Sequence, residues 1–435
     1  MKTRHAPALP PHAILPNKEQ RGSPTFVRVL AAVVIFGLFF FSKHINTMPS
    51  TDTNSSRYTE TIFIPYINKF SAKNVPKVKT TIEGVDIDMP VDTGSTGLLI
   101  GAPRLPNVDP SEGVPAHHFF TSSKIFYVGR LVDLSVRFYS GDNSYAIAKV
   151  PVFIVDKSWT CPWYNTRTDG FDCPIGPNGE TATRRDTSQI TYMGVGFGRN
   201  EPRDGMPFAT PSVNPFLNLE SINGRTLSPE KLRAGYVIST EGIHIGLTQH
   251  NTRNFAFINL EPGLTYDEDL RDWSMVKMCF QINDGERHCG PVLIDTGIPQ
   301  MYIRAEEGAR IPSITIRNPN RKSMTKMVRR VKPGTTISID SLPSERSIID
   351  FSFTVGEGSS IEPSYVFPVR PASPPFINTG RNFFFGYSIV FDAIGGRFGF
   401  RPFMYHVEWP QRSTVSLLRC AQVSWSGIMP GSDGE

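Results

Sequence analysis

Residues 91–100, VDTGSTGLLI, place Asp92 between Val91 and an apolar run ending in Leu98, Leu99 and Ile100. An acid in that setting is costly to bury unless something hydrogen-bonds it. One Asp-Thr-Gly alone reads equally well as a plain turn, since Asp and Gly both suit turns. The triplet recurs 203 positions later (295 − 92) as Asp295-Thr296-Gly297, within PVLIDTGIPQMYI. Two carboxyls brought into contact cannot both ionise comfortably, so one serves as base and the other as acid. Such chemistry requires elements that carry two acids from distant parts of the chain to one place.

Those elements are written twice. VKTTIEGVDIDMPV, before the first triplet, reads as strand, Glu83-Gly84 turn, strand; MCFQINDGERHCGPVLI, before the second, reads as strand, Asp284-Gly285 turn, strand. An apolar-Gly element follows each. Gly194, in YMGVGF, comes 102 residues after Asp92 (194 − 92), and Gly380, in INTG, comes 85 after Asp295 (380 − 295). The same parts in the same order predict duplicated lobes and not one long sheet. The 435 residues suffice for two lobes, and 37 Pro, 36 Gly, 30 Phe and 13 Tyr suit short strands joined by turns. The expected class is all-β.

On these residues the chain resembles the pepsin-like aspartic proteases (peptidase family A1). GRNFFFGYSIVFDAIGGRFGFRP (380–402) is similar to the family's C-terminal block, ITYMGVGFGRN to its N-lobe Gly motif, and GYVISTEGIHIGL (235–247) to the strands linking the lobes. The likeness runs from about Thr61 to Phe403, outside insertions at 200–230 and 316–346. It implies a bilobal fold with a pseudo-two-fold axis, an N-terminal lobe over 61–248 and a C-terminal lobe over 249–405. It implies one Asp from each lobe, Asp92 and Asp295, activating a water for amide hydrolysis at acidic pH. The cleft would take an extended peptide by strand-like hydrogen bonds. No cofactor and no metal are expected, and a monomer is.

Support for the pair is expected from Thr93 and Thr296 bonding across the lobes, from backbone approach at Gly94 and Gly297, and from Ser95 orienting Asp92. Two positions depart from the family pattern. Ile298 stands where Thr or Ser is usual, which takes an outer hydroxyl from Asp295, and Leu99 stands where Trp is usual. A hairpin over 134–150, with SGDNS at its tip, is expected as the flap, its tyrosine being Tyr139, or Phe138 in an ungapped reading. The alternative function is a catalytically weak or inactive binding protein on the same scaffold, serving a specialised pathway.

Other motifs point nowhere else. There is no G-x-S-x-G and no H-E-x-x-H, and GVGFG (194–198) does not continue as a nucleotide loop. His117 and His118 have no metal-spaced partner and are expected in an exposed loop. The net charge of +5 is modest. Residues 316–332 hold seven Lys and Arg without an acid, which reads as a solvated insertion or an anion-facing patch; lacking interleaved aromatics, it does not suggest nucleic acid.

The N-terminus supplies a location. Residues 29–41 are an uncharged apolar run, and with Arg28 snorkelling the stretch 24–43 reaches spanning length. A basic tail (1–23) precedes it, so positive-inside bias predicts a single-pass type II signal anchor with the bulk lumenal or extracellular. A cleaved signal peptide is the competing reading. A stem follows over 44–60, with a glycosylation sequon at Asn54, and a tail closes the chain over 406–435. Cys161 and Cys173 flank one loop, while Cys279 and Cys289 lie symmetrically about Asp284, so two disulfides are expected. Cys420 is left over.

Overall fold

A computed structural model of the protein describes residues 55–120, 123–199, 209–320, 325–341 and 348–403. The basic tail, the anchor segment, Asn54, Cys420 and the tail 406–435 lie outside the described residues, as does most of the stem. Among the described residues no helix is long and apolar enough to cross a membrane. Their architecture is all-β, with helical turns of three to five residues.

Three main sheets build the molecule. Period-2 burial explains why these segments become strands: Lys77–Ile82 alternates outer with buried positions up to a fully buried Ile82, and Thr336–Ser341 alternates half-buried with buried ones. The first sheet has ten strands and holds the approach hairpin Lys77–Ile82 with Val85–Pro90, closed by Glu83 and Gly84 at positive φ (48° and 75°). The second has seven strands and holds the equivalent hairpin, Lys277–Ile282 with Arg287–Leu293. The third has six strands and draws on both halves. At its middle Arg233–Ile238 runs antiparallel to Tyr387–Asp392, and the largest hydrophobic core cluster among the described residues draws on all three sheets.

The doubled pattern appears as doubled register. In the first half Asp92 bridges Gly194 in parallel, and Leu98 of the strand Thr96–Gly101 faces Met193 antiparallel. In the second half Leu293 pairs Asn378 in parallel, and Tyr302 of Met301–Arg304 faces Asn378 antiparallel. Carrying that parallel register two residues on sets Asp295 opposite Gly380. The strand after each acid is thus related by 203 positions and the Gly strand by 186 (380 − 194).

Some expectations change. His117 and His118 are not in a loop: the strand Val114–Phe120 carries them, and its alternation buries His118 while half-burying His117. The expected insertion at 316–346 contains Thr336–Ser341, a strand of the seven-stranded sheet between Asp350–Thr354 and Lys277–Ile282. Its basic part is a separate hairpin, Ser313–Arg317 with Met327–Val331. Both disulfides are present, Cys161–Cys173 closing a loop and Cys279–Cys289 joining directly opposed residues of the hairpin.

Candidate active site

Asp92 and Asp295 meet where the two approach strands end. Both are buried, 8% and 4% exposed. The loops that carry them are locked to each other by the threonines. Thr93 N–H donates to Thr296 Oγ1 (3.0 Å) and Thr296 N–H donates to Thr93 Oγ1 (2.9 Å). Each hydroxyl then donates across the junction, Thr93 Oγ1 to Ile294 O and Thr296 Oγ1 to Val91 O, both at 2.6 Å. A hydroxyl is one donor and two acceptor sites, so this reciprocal use pairs both hydroxyls and both N–H groups of the two threonines. Threonine is therefore required by its hydroxyl on both sides.

The glycines set the separation of the acids. A Cβ at Gly94 would lie 2.4 Å from the Asp295 carboxyl, and one at Gly297 would lie 2.4 Å from Asp92 Oδ1. Each acid therefore rests against the other loop's glycine, which is why a side chain at either position would drive the carboxyls apart. The glycine N–H groups serve their own acids, Gly94 donating to Asp92 Oδ1 (2.7 Å) and Gly297 to Asp295 Oδ1 (2.6 Å).

The outer oxygens are where the halves differ. Ser95 Oγ donates to Asp92 Oδ2 at 2.8 Å, as expected from its position. Ile298 offers nothing comparable, yet Asp295 does not go short of a donor: Asn378 Nδ2 donates to Asp295 Oδ2 at 2.6 Å. The Asn378 amide is oriented by Gly380, whose N–H donates to Asn378 Oδ1 (3.0 Å). In the doubled register Asn378 corresponds to Tyr192 (378 − 186), and the Tyr192 phenol lies against Ser95 and Asp92. Burial first, and then the charge of Asp92, raises that phenol far above its ordinary range. Sequence reasoning missed both residues; their only signal was their place two residues before the repeated glycine.

Burial and charge both act on Asp295. Asp295 is held well above the ordinary carboxyl range, first by burial and then by the charge of Asp92, against the opposing pull of the Asn378 and Gly297 hydrogen bonds. The pair therefore holds a proton between its members, and its titration is shared.

The structure brings together Asp92, Thr93, Gly94, Ser95, Asp295, Thr296 and Gly297. It does not bring Tyr139 to them by any hydrogen bond among the described residues. The expected hairpin is there, Ile125–Tyr139 with Tyr145–Thr160 and a turn at 140–144, but the Tyr139 hydroxyl is 2.8 Å from Thr81 Oγ1. Phe138 is buried in the core against Phe216. Leu99 faces Tyr192 across the ladder and packs with Ala116, Phe153 and Val155. Among the described residues no group of three or more His, Cys, Asp or Glu could hold a metal ion. In comparison with protein-family models and with curated proteins, the chain matches none.

Proposed function

We propose that this chain is an aspartic endopeptidase with the bilobal fold of the pepsin-like enzymes, cleaving peptide bonds of an extended substrate at acidic pH. One observation carries the reading: two carboxyls from duplicated loops each rest against the other loop's glycine, and the loops are tied by reciprocal threonines. In the proposed reaction Asp92 takes a proton from a water whose oxygen attacks the scissile carbonyl carbon. Asp295 gives its proton to the carbonyl oxygen, forming a diol. Collapse of the diol breaks the C–N bond, its proton passing through the pair to the leaving nitrogen, and yields a carboxylic acid and an amine.

The raised titration of Asp295 supports its role as the acid, which leaves Asp92 as the base of the proposed pair. Anchoring through 24–43 with the bulk lumenal or extracellular belongs to the same proposal, supported by the basic tail and by the two disulfides. The test is cleavage of a peptide library by the purified full-length chain across acidic to neutral pH, with and without pepstatin. The reading expects acid cleavage that pepstatin blocks; a folded protein that cuts nothing at any pH sinks it.

Tyr139 favours a second reading, a protease-like binding protein, because its hydroxyl is engaged by Thr81 and not by the acids. That reading expects peptide capture without cleavage.

A further inference from the structure

Behind the acid pair stands a buried cation. Arg381 opens the helical turn Arg381–Phe385 and is 2% exposed. Its backbone N–H donates to Ile298 O (2.9 Å) and its Nη2 to Gly297 O (2.8 Å), so it grips the Asp295 loop twice. Its Nε and Nη1 are buried without a hydrogen-bond partner among the described residues. The rest of the turn brings no counter-charge: Asn382 donates its amide to Ser360 O and Glu362 O, and residues 383–385 are phenylalanines. Among the described residues the acids whose charges bear on Arg381 are Asp295 and Asp92, and the Tyr192 phenol also lies against that pair.

A guanidinium cannot shed its proton in a protein, and a buried charge left without a counter-charge is strongly destabilising. We propose that Arg381 and the two acids form one charge-compensated unit, in which the single negative charge shared by Asp92 and Asp295 is the counter-ion of the guanidinium. The inference rests on the acid-pair reading of the site but not on catalysis. Arg381 is a positioning residue, reaching Asp295 through the Gly297 peptide. Protonating both acids strands the cation, so the pair keeps one negative charge further into acid than two isolated buried carboxyls would. The cation likewise favours loss of the second proton, which places the alkaline limit of the pair lower.

The test follows the carboxyl protons directly, by isotope-edited infrared spectroscopy of the full-length chain carrying carbon-13 at Asp, with Asp92→Asn and Asp295→Asn assigning the bands. In Arg381→Met the titration of the pair should move up by about one pH unit or more, and Arg381→Lys should stay near wild type. A stability cycle covers poor folding of the single variant. The double variant Asp92→Asn/Asp295→Asn leaves Arg381 uncompensated and should lower the urea midpoint, and adding Arg381→Met should recover most of the loss. Superimposed titrations of wild type and Arg381→Met overturn the proposal, as does a midpoint that Arg381→Met lowers further in the charge-free background. Movement of the titration in a protein that cuts no peptide supports the charge unit while the protease reading falls. Intact cleavage with an unmoved titration does the reverse.

Discussion

Removing the Asn378 amide would leave Asp295 Oδ2 without its donor in a buried setting, because Ile298 carries no hydroxyl. A hydrogen bond to a charged group is worth about 1.5–3 kcal/mol, or about 10- to 100-fold in rate if it is needed in the transition state. Asn378→Ala should therefore lower kcat by about that factor with little change in KM. Adding Ile298→Thr should restore part of it, since a hydroxyl there stands where Ser95 stands in the first half; steady-state kinetics of both variants check this. Asp295 itself gives a pH prediction. Its carboxyl is raised in the folded protein, so from about pH 4 upward the unfolded chain has lost a proton that the folded chain keeps. Stability should fall as pH rises through that window, and Asp295→Asn should flatten the slope, measured as urea midpoints against pH.

Among the elements, the paired loops and the hairpins that feed them carry most of the risk. Thr93→Val removes the acceptor for Thr296 N–H and the donor to Ile294 O at once, and should cost about 2–3 kcal/mol in urea denaturation, with Thr93→Ser close to wild type. The Cys279–Cys289 bond closes a 10-residue separation at the hairpin leading to Asp295. Replacing both cysteines by serine should cost about 2–3 kcal/mol by the same measurement. These elements were largely legible in the sequence. Lys77–Ile82 alternates cleanly, and the repeated triplet and repeated glycine announce two copies. The strand Thr336–Ser341 was hidden by the basic run before it, which reads as a solvated insertion. His118 was misplaced because a histidine pair looks polar, whereas alternation in Val114–Phe120 buries the second ring.

For the whole molecule, what the sequence could not show is what register alone creates. Asn378, Tyr192 and Arg381 sit inside the quoted segments with nothing there to mark them as supports of the acids; they matter because the Gly strand lies beside the strand that ends in an acid, in both halves. Asp92 and Asp295 were legible because their triplet repeats, while their supports can be drawn from any residue with a suitable donor. The six-stranded sheet joins the halves through Arg233–Ile238 and Tyr387–Asp392, so the two loops are held by the same body that holds the core. Both acids are proposed to act as one unit. The most direct test is peptide cleavage at acidic pH by the wild type beside Asp92→Asn and Asp295→Asn, each verified as folded. Cleavage by the wild type is expected, lowered by about 1,000-fold or more in each variant, because neither carboxyl alone can be both base and acid. Cleavage that survives in either folded variant would contradict the proposal.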